Sequence, residues 1–119
     1  MIYAVDFDGT LSLQGYPKCG KPNQPLFEFL RMQQRNGHRV ILYTCREGLE
    51  LQQAINWCAE QGLMFHAVNS NIPEIVRRFR GNPRKIYADF YIDDRAVNPF
   101  SANVVVAPIG YLNEIARDE

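Results

Sequence analysis

At 119 residues, with 46% hydrophobic and 22% charged residues, the chain is sized for one domain with a single core, and its composition excludes disorder and low complexity. Lys plus Arg and Asp plus Glu both count 13, so no overall field draws the protein to nucleic acid or an anionic membrane surface. The opening MIYAVDFDGT places two carboxylates where a signal peptide needs unbroken apolar residues, and no later run approaches the ~20 apolar residues of a membrane span, so a cytoplasmic location without a membrane partner is expected.

The apolar run of residues 1–5 reads as a buried strand that stops at Asp6 and Asp8, which flank Phe7, and then at Gly9. Residues 11–25 carry Gly15, Pro17, Gly20, Pro22 and Pro25, a density of helix breakers that predicts a short flap or loop. Asn23 can cap a helix with Leu26, Phe27, Leu30 and Met32 on its apolar face and Gly37 as its stop. A second buried strand follows over residues 39–43, ending at Thr44. Next comes a helix over residues 47–61, where Leu51, Ala54, Ile55 and Cys58 recur at helical spacing before Gly62. Residues 63–68 form a weaker strand candidate, and Pro73 opens a short helix through Phe79. Residues 88–92 give a strand ending at Asp93 and Asp94, residues 104–107 a fifth strand, and Gly110 onward a terminal helix.

Strands alternating with helices predict an α/β, three-layer Rossmann-like fold. Its mainly parallel five-stranded sheet would be reached through right-handed crossovers, in a single domain spanning residues 1–119. Ligands of such open sheets bind beyond the carboxyl ends of the strands. Asp6, Asp8, Thr44, Asp93 and Asp94 all fall just past apolar runs, so the fold would gather them at one edge. The two-residue period of an extended chain turns Asp6 and Asp8 toward one pocket. Four carboxylates there repel one another unless a cation neutralises them, and an all-oxygen set of this kind suits Mg²⁺.

In order and spacing, DFDGT at residues 6–10, Thr44 closing an apolar strand, Lys85 upstream of a strand and the Asp93-Asp94 pair resemble the four motifs of the haloacid dehalogenase-like hydrolase superfamily. The resemblance implies a Mg²⁺-dependent phosphatase, a phosphoric monoester hydrolase that works through an aspartyl-phosphate. In it Asp6 attacks phosphorus, while Asp8 protonates the leaving group and later activates water. Thr44 would hydrogen-bond the transferring phosphoryl group and Lys85 would offset its charge, with Arg84 as the nearest substitute. Asp93, Asp6 and Asp8 through its backbone carbonyl would hold Mg²⁺, and Asp94 would act directly or through a bound water. Neither gap between motifs has room for a cap domain, so the sequence resembles a small capless member. In the superfamily that arrangement accompanies macromolecular phosphorylated substrates or a neighbouring subunit, as in a homo-oligomer, serving as lid.

Other residues narrow the reading. Arg46, two residues past Thr44, is a candidate substrate contact at the rim. The stretch containing Arg77, Arg78, Arg80, Arg84 and Lys85 reads as a solvated basic face without a nucleic-acid recognition motif. Cys19, Cys45 and Cys58 are odd in number and lack zinc-ligand spacing, which predicts reduced thiols. A cysteine phosphatase needs an Arg six residues after its Cys, and Leu51 stands there relative to Cys45. His38 and His66 have no partners at metal-ligand spacing. Two alternatives are a receiver-like phospho-switch, whose phosphorylated Asp lies on a later strand than its acidic pair, and a catalytically silent binding domain on a hydrolase scaffold, which would not need Asp6 and Asp8.

Overall fold

A computed structural model describes residues 1–97. Their elements are β1 (Ile2–Val5), α1 (Gln24–Arg35), β2 (Arg39–Leu42), α2 (Gly48–Glu60), β3 (Ala67–Val68), α3 (Pro73–Phe79) and β4 (Phe90–Ile92). The four strands form one parallel sheet in the order β3-β2-β1-β4, and with the three helices they make a Rossmann-like α/β architecture. The fifth strand expected at residues 104–107 and the terminal helix from Gly110 lie outside the described residues.

Alternation along the strands feeds two cores. Tyr3 and Val5 of β1 and Val40 and Leu42 of β2 point to one face, where they pack with Phe27 and Leu30 of α1 and Ala54 and Cys58 of α2. Ile2 and Ile41 point to the other face and meet Ile72, Ile75 and Ile86 beneath α3. The sheet is therefore covered on both faces, as parallel sheets require. Met32 departs from the expected apolar face of α1 and stands half exposed.

Helix ends follow the punctuation in the sequence. Asn23 caps α1, its side chain accepting from the Leu26 N–H, and α1 ends before Gly37 at φ +88°. Gly62, at φ +80°, carries the chain off α2. Residues 63–66, expected to begin the third strand, lead irregularly from this turn to it, and the His66 N–H already bonds Val40 O of β2 at 2.9 Å. The Leu63 N–H bonds Cys58 O and the Leu63 side chain fills the core, so β3 keeps two residues.

The strand order also places a site. β1 connects through α1 to β2 on one side, whereas β4 joins β1 on the other, so the direction of winding reverses between β1 and β4. The crevice beyond the carboxyl ends of two such strands is where open α/β sheets take ligands.

Candidate active site

Asp6 follows β1 at that reversal, and its N–H continues the sheet by donating to Ile92 O at 2.9 Å. Phe7 anchors the acidic turn. Its ring is fully buried and meets Trp57 edge-on, with centroids 5.5 Å apart, so the flanking Asp6 and Asp8 are held at the cleft. Asp93 and Asp94 arrive from the end of β4. Oxygens of Asp6, Asp93 and Asp94 all lie within 4.8 Å of one another, an anionic oxygen donor set of the kind hard divalent cations take. Burial first, and the Asp93 charge after it, push the Asp6 carboxyl up to about 6, against partial relief from the backbone of Phe7 and the hydroxyl of Thr10.

Thr10 and Gly9 fix this cluster. The Thr10 hydroxyl donates to Asp6 Oδ2 at 3.1 Å and accepts the Asp94 N–H at 3.2 Å, tying the β1 and β4 turns together. Gly9 has φ +80°, and a Cβ there would collide with Asp94 Oδ2, so the position excludes a side chain on two counts.

A cleft of about 270 Å³ is lined by Asp6, Asp8, Thr44, Cys45, Asp93, Asp94 and Arg95. A second hollow of about 290 Å³ adjoins it through Asp6, Thr44, Cys45 and Asp93 and adds Tyr43 and Asn69. The Asn69 side chain accepts the Thr44 N–H at 2.8 Å, and the Thr44 hydroxyl oxygen accepts the Arg46 N–H at 3.1 Å. A hollow of about 630 Å³ lies elsewhere, between the flap and α2, and is lined by none of the clustered carboxylates.

The structure thus brings Asp6, Asp8, Thr44, Asp93 and Asp94 to one cleft and leaves two expected site residues out of it. Lys85 precedes β4 next to Ile86, which packs against Ile2 at the opposite end of the sheet. Its ammonium lies 5.8 Å from the centre of the Tyr91 ring. Arg84 does not line the cleft either, and among the described residues Arg95 is the cation that does. Arg46 is not an exposed rim residue. Its side chain is 1% exposed, and its guanidinium holds Asp8 through Nη2 to Oδ1 at 2.7 Å and Nε to Oδ2 at 2.9 Å. Both Asp8 oxygens are engaged this way, so its carboxylate stands apart from the cluster of Asp6, Asp93 and Asp94. Thr10, Asn69 and Arg95 had not been singled out in the sequence.

The three cysteines are free thiols, with Cys58 buried and pushed up to about 12 by that burial. Among the described residues no helix is long and apolar enough to cross a membrane.

This arrangement defines a Rossmann-like α/β protein with a carboxylate cluster at its topological switch point. Over 99% of its length, at 38% identity and a TM-score of 0.72, the chain is similar to a solved structure described as a conserved protein coded by locus from Bacteroides thetaiotaomicron, 90% of which is covered. The chain belongs to the same family as that Bacteroides protein. No protein-family model and no curated protein matches it.

Proposed function

We propose that the protein is a Mg²⁺-dependent phosphohydrolase of the haloacid dehalogenase-like type, with Asp6 as its nucleophile. The observation that carries this reading is the convergence of Asp6, Asp93 and Asp94 at the switch point, beside Thr44 in one cleft. The donor set fits the metal, being all oxygen and anionic; burial is the main cause that raises the Asp6 carboxyl, and the Asp93 charge adds a smaller repulsion of the kind a cation relieves. When bound by Asp6, Asp93 and Asp94, Mg²⁺ supplies charge neutralisation and polarisation of the phosphoryl group.

The chain's own residues do the rest. Asp6 attacks phosphorus, forming a P–O bond to its carboxylate as the bond to the leaving oxygen breaks. Asp8 gives that oxygen a proton, then takes one from the water that attacks the aspartyl-phosphate, freeing phosphate and restoring Asp6. Each Asp8 oxygen accepts one N–H of the Arg46 guanidinium and keeps a second lone pair for the transferred proton. Thr44 donates its hydroxyl to the phosphoryl group, and Arg95 takes the charge-balancing role first assigned to Lys85.

Between Thr44 and Asp93 stand only α2, β3, α3, β4 and their connections, and residues 11–23 form a short flap, so among the described residues no cap covers the cleft. An open cleft favours phosphorylated groups carried on large molecules over free sugar phosphates. The reading is tested with a generic aryl phosphate: phosphate release in Mg²⁺ that stops with EDTA and is lost in Asp6→Asn supports it. Release unchanged by the chelator contradicts the metal assignment, and release unchanged in Asp6→Asn contradicts the nucleophile.

A further inference from the structure

We propose that Arg46 is a positioning residue that couples the flap to Asp8, so that flap closure and the orientation of the acid–base carboxylate are set together. The inference rests on the phosphohydrolase reading for its kinetic consequence, but not for the coupling itself. Besides its two bonds to Asp8, the guanidinium donates through Nη1 to Pro17 O at 3.0 Å and Glu50 O at 3.3 Å, and through Nη2 to Lys18 O at 3.1 Å. These contacts use the whole five-donor fork of an arginine, which a lysine cannot reproduce.

Two rings complete the clamp. The guanidinium carbon lies 4.7 Å from the centre of the buried Phe7 ring and 5.3 Å from that of Tyr16, a flap residue otherwise 61% exposed. The flap tip thus rests on Arg46 through the Tyr16 ring and the carbonyls of Pro17 and Lys18. Asp8 rests on the same group. The Arg46 backbone is held in turn by the hydroxyl of Thr44, a residue that also lines the cleft. Removing either partner of a buried ion pair leaves the other uncompensated, so losing Asp8 disturbs the flap and losing Arg46 disturbs Asp8.

Hydrogen exchange in EDTA reads the coupling without any turnover. In Asp8→Ala, the Leu13 N–H, which bonds Lys21 O, and the Gly20 N–H, which bonds Ser12 Oγ, should exchange ~10-fold faster while α1 keeps its protection. Unchanged flap exchange in Asp8→Ala overturns the coupling. Kinetics read the positioning role. Arg46→Gln and the milder Arg46→Lys should lower kcat more for an alkyl phosphate, whose leaving group needs the Asp8 proton, than for an activated aryl phosphate. Adding Arg46→Gln to Asp8→Asn should cost little more. Equal losses on both leaving groups, or full additivity, mean that Arg46 only supports the fold. A wild-type protein silent on every phosphate sinks the phosphohydrolase reading, while the exchange experiment still judges the clamp.

Discussion

Asp6→Asn should make the metal-free protein more stable while abolishing its turnover. In the fold the Asp6 carboxyl is raised from an ordinary 3.8 to about 6, burial being the larger cause and the Asp93 charge a further one. At about 1.4 kcal/mol per pKa unit the full shift corresponds to at most ~3 kcal/mol against the ionised form. Because Asp6 faces an open cleft, solvent screening reduces that to ~1 kcal/mol, or ~4 °C in Tm for a domain of this size. The sign follows from linkage. Below pH 3.8 both folded and unfolded chains hold the proton and there is no penalty; as pH rises toward about 6 the unfolded chain ionises first and stability is lost. Thermal unfolding in EDTA should therefore show Asp6→Asn matching wild type near pH 3.5 to 4 and exceeding it by ~4 °C at pH 7. Mg²⁺ should raise the wild-type Tm and move the variant little, because it binds the ionised cluster. An Asp6→Asn protein that is less stable than wild type at pH 7 without metal would refute the reasoning.

Arg95→Gln should raise KM for an aryl phosphate ~10-fold, as expected for losing a charged contact in the cleft, whereas Lys85→Gln should stay within about twofold of wild type. Steady-state kinetics of the two variants decide between them, and the reverse order would return the charge-balancing role to Lys85. Gly9→Ala should lose ~1–3 kcal/mol in denaturant unfolding, because φ +80° is strained for alanine and its Cβ meets Asp94, and the Mg²⁺-induced gain in Tm should shrink with it.

The sequence carried the elements wherever punctuation and periodicity agreed. Asn23, Gly37, Gly62 and Pro73 mark helix ends that the structure reproduces to within a residue or two. It could not show that Leu63 is drawn into the turn leaving α2, which shortens β3. Asn69 was within reach of the rule that found Thr44, since it too stands just past the end of a parallel strand. Thr10 lay inside DFDGT, but its bridge to Asp94 spans 84 residues and exists only after the sheet forms. The same distance effect hid the partners of Arg46. Two residues past Thr44 it reads as a substrate contact at the rim, and only folding brings Asp8, 38 residues earlier, and the flap carbonyls around it. Lys85 was read by its order before a strand, but a residue just ahead of β4 falls at the wrong end of the sheet to meet Asp93.

The measurement that tests the central claim most directly is capture of the covalent intermediate. Asp8→Asn should still form the aspartyl-phosphate from an activated aryl phosphate in Mg²⁺, because that leaving group departs without a proton, yet should hydrolyse it slowly. A burst of aryl alcohol close to one equivalent of enzyme should follow mixing. Acid quenching and peptide mass spectrometry should place one phosphoryl group on the N-terminal peptide, at Asp6. Turnover at the wild-type rate with no burst would assign the acid–base role to another group, such as Asp94, and a burst with phosphate on any residue other than Asp6 would contradict Asp6 as the nucleophile.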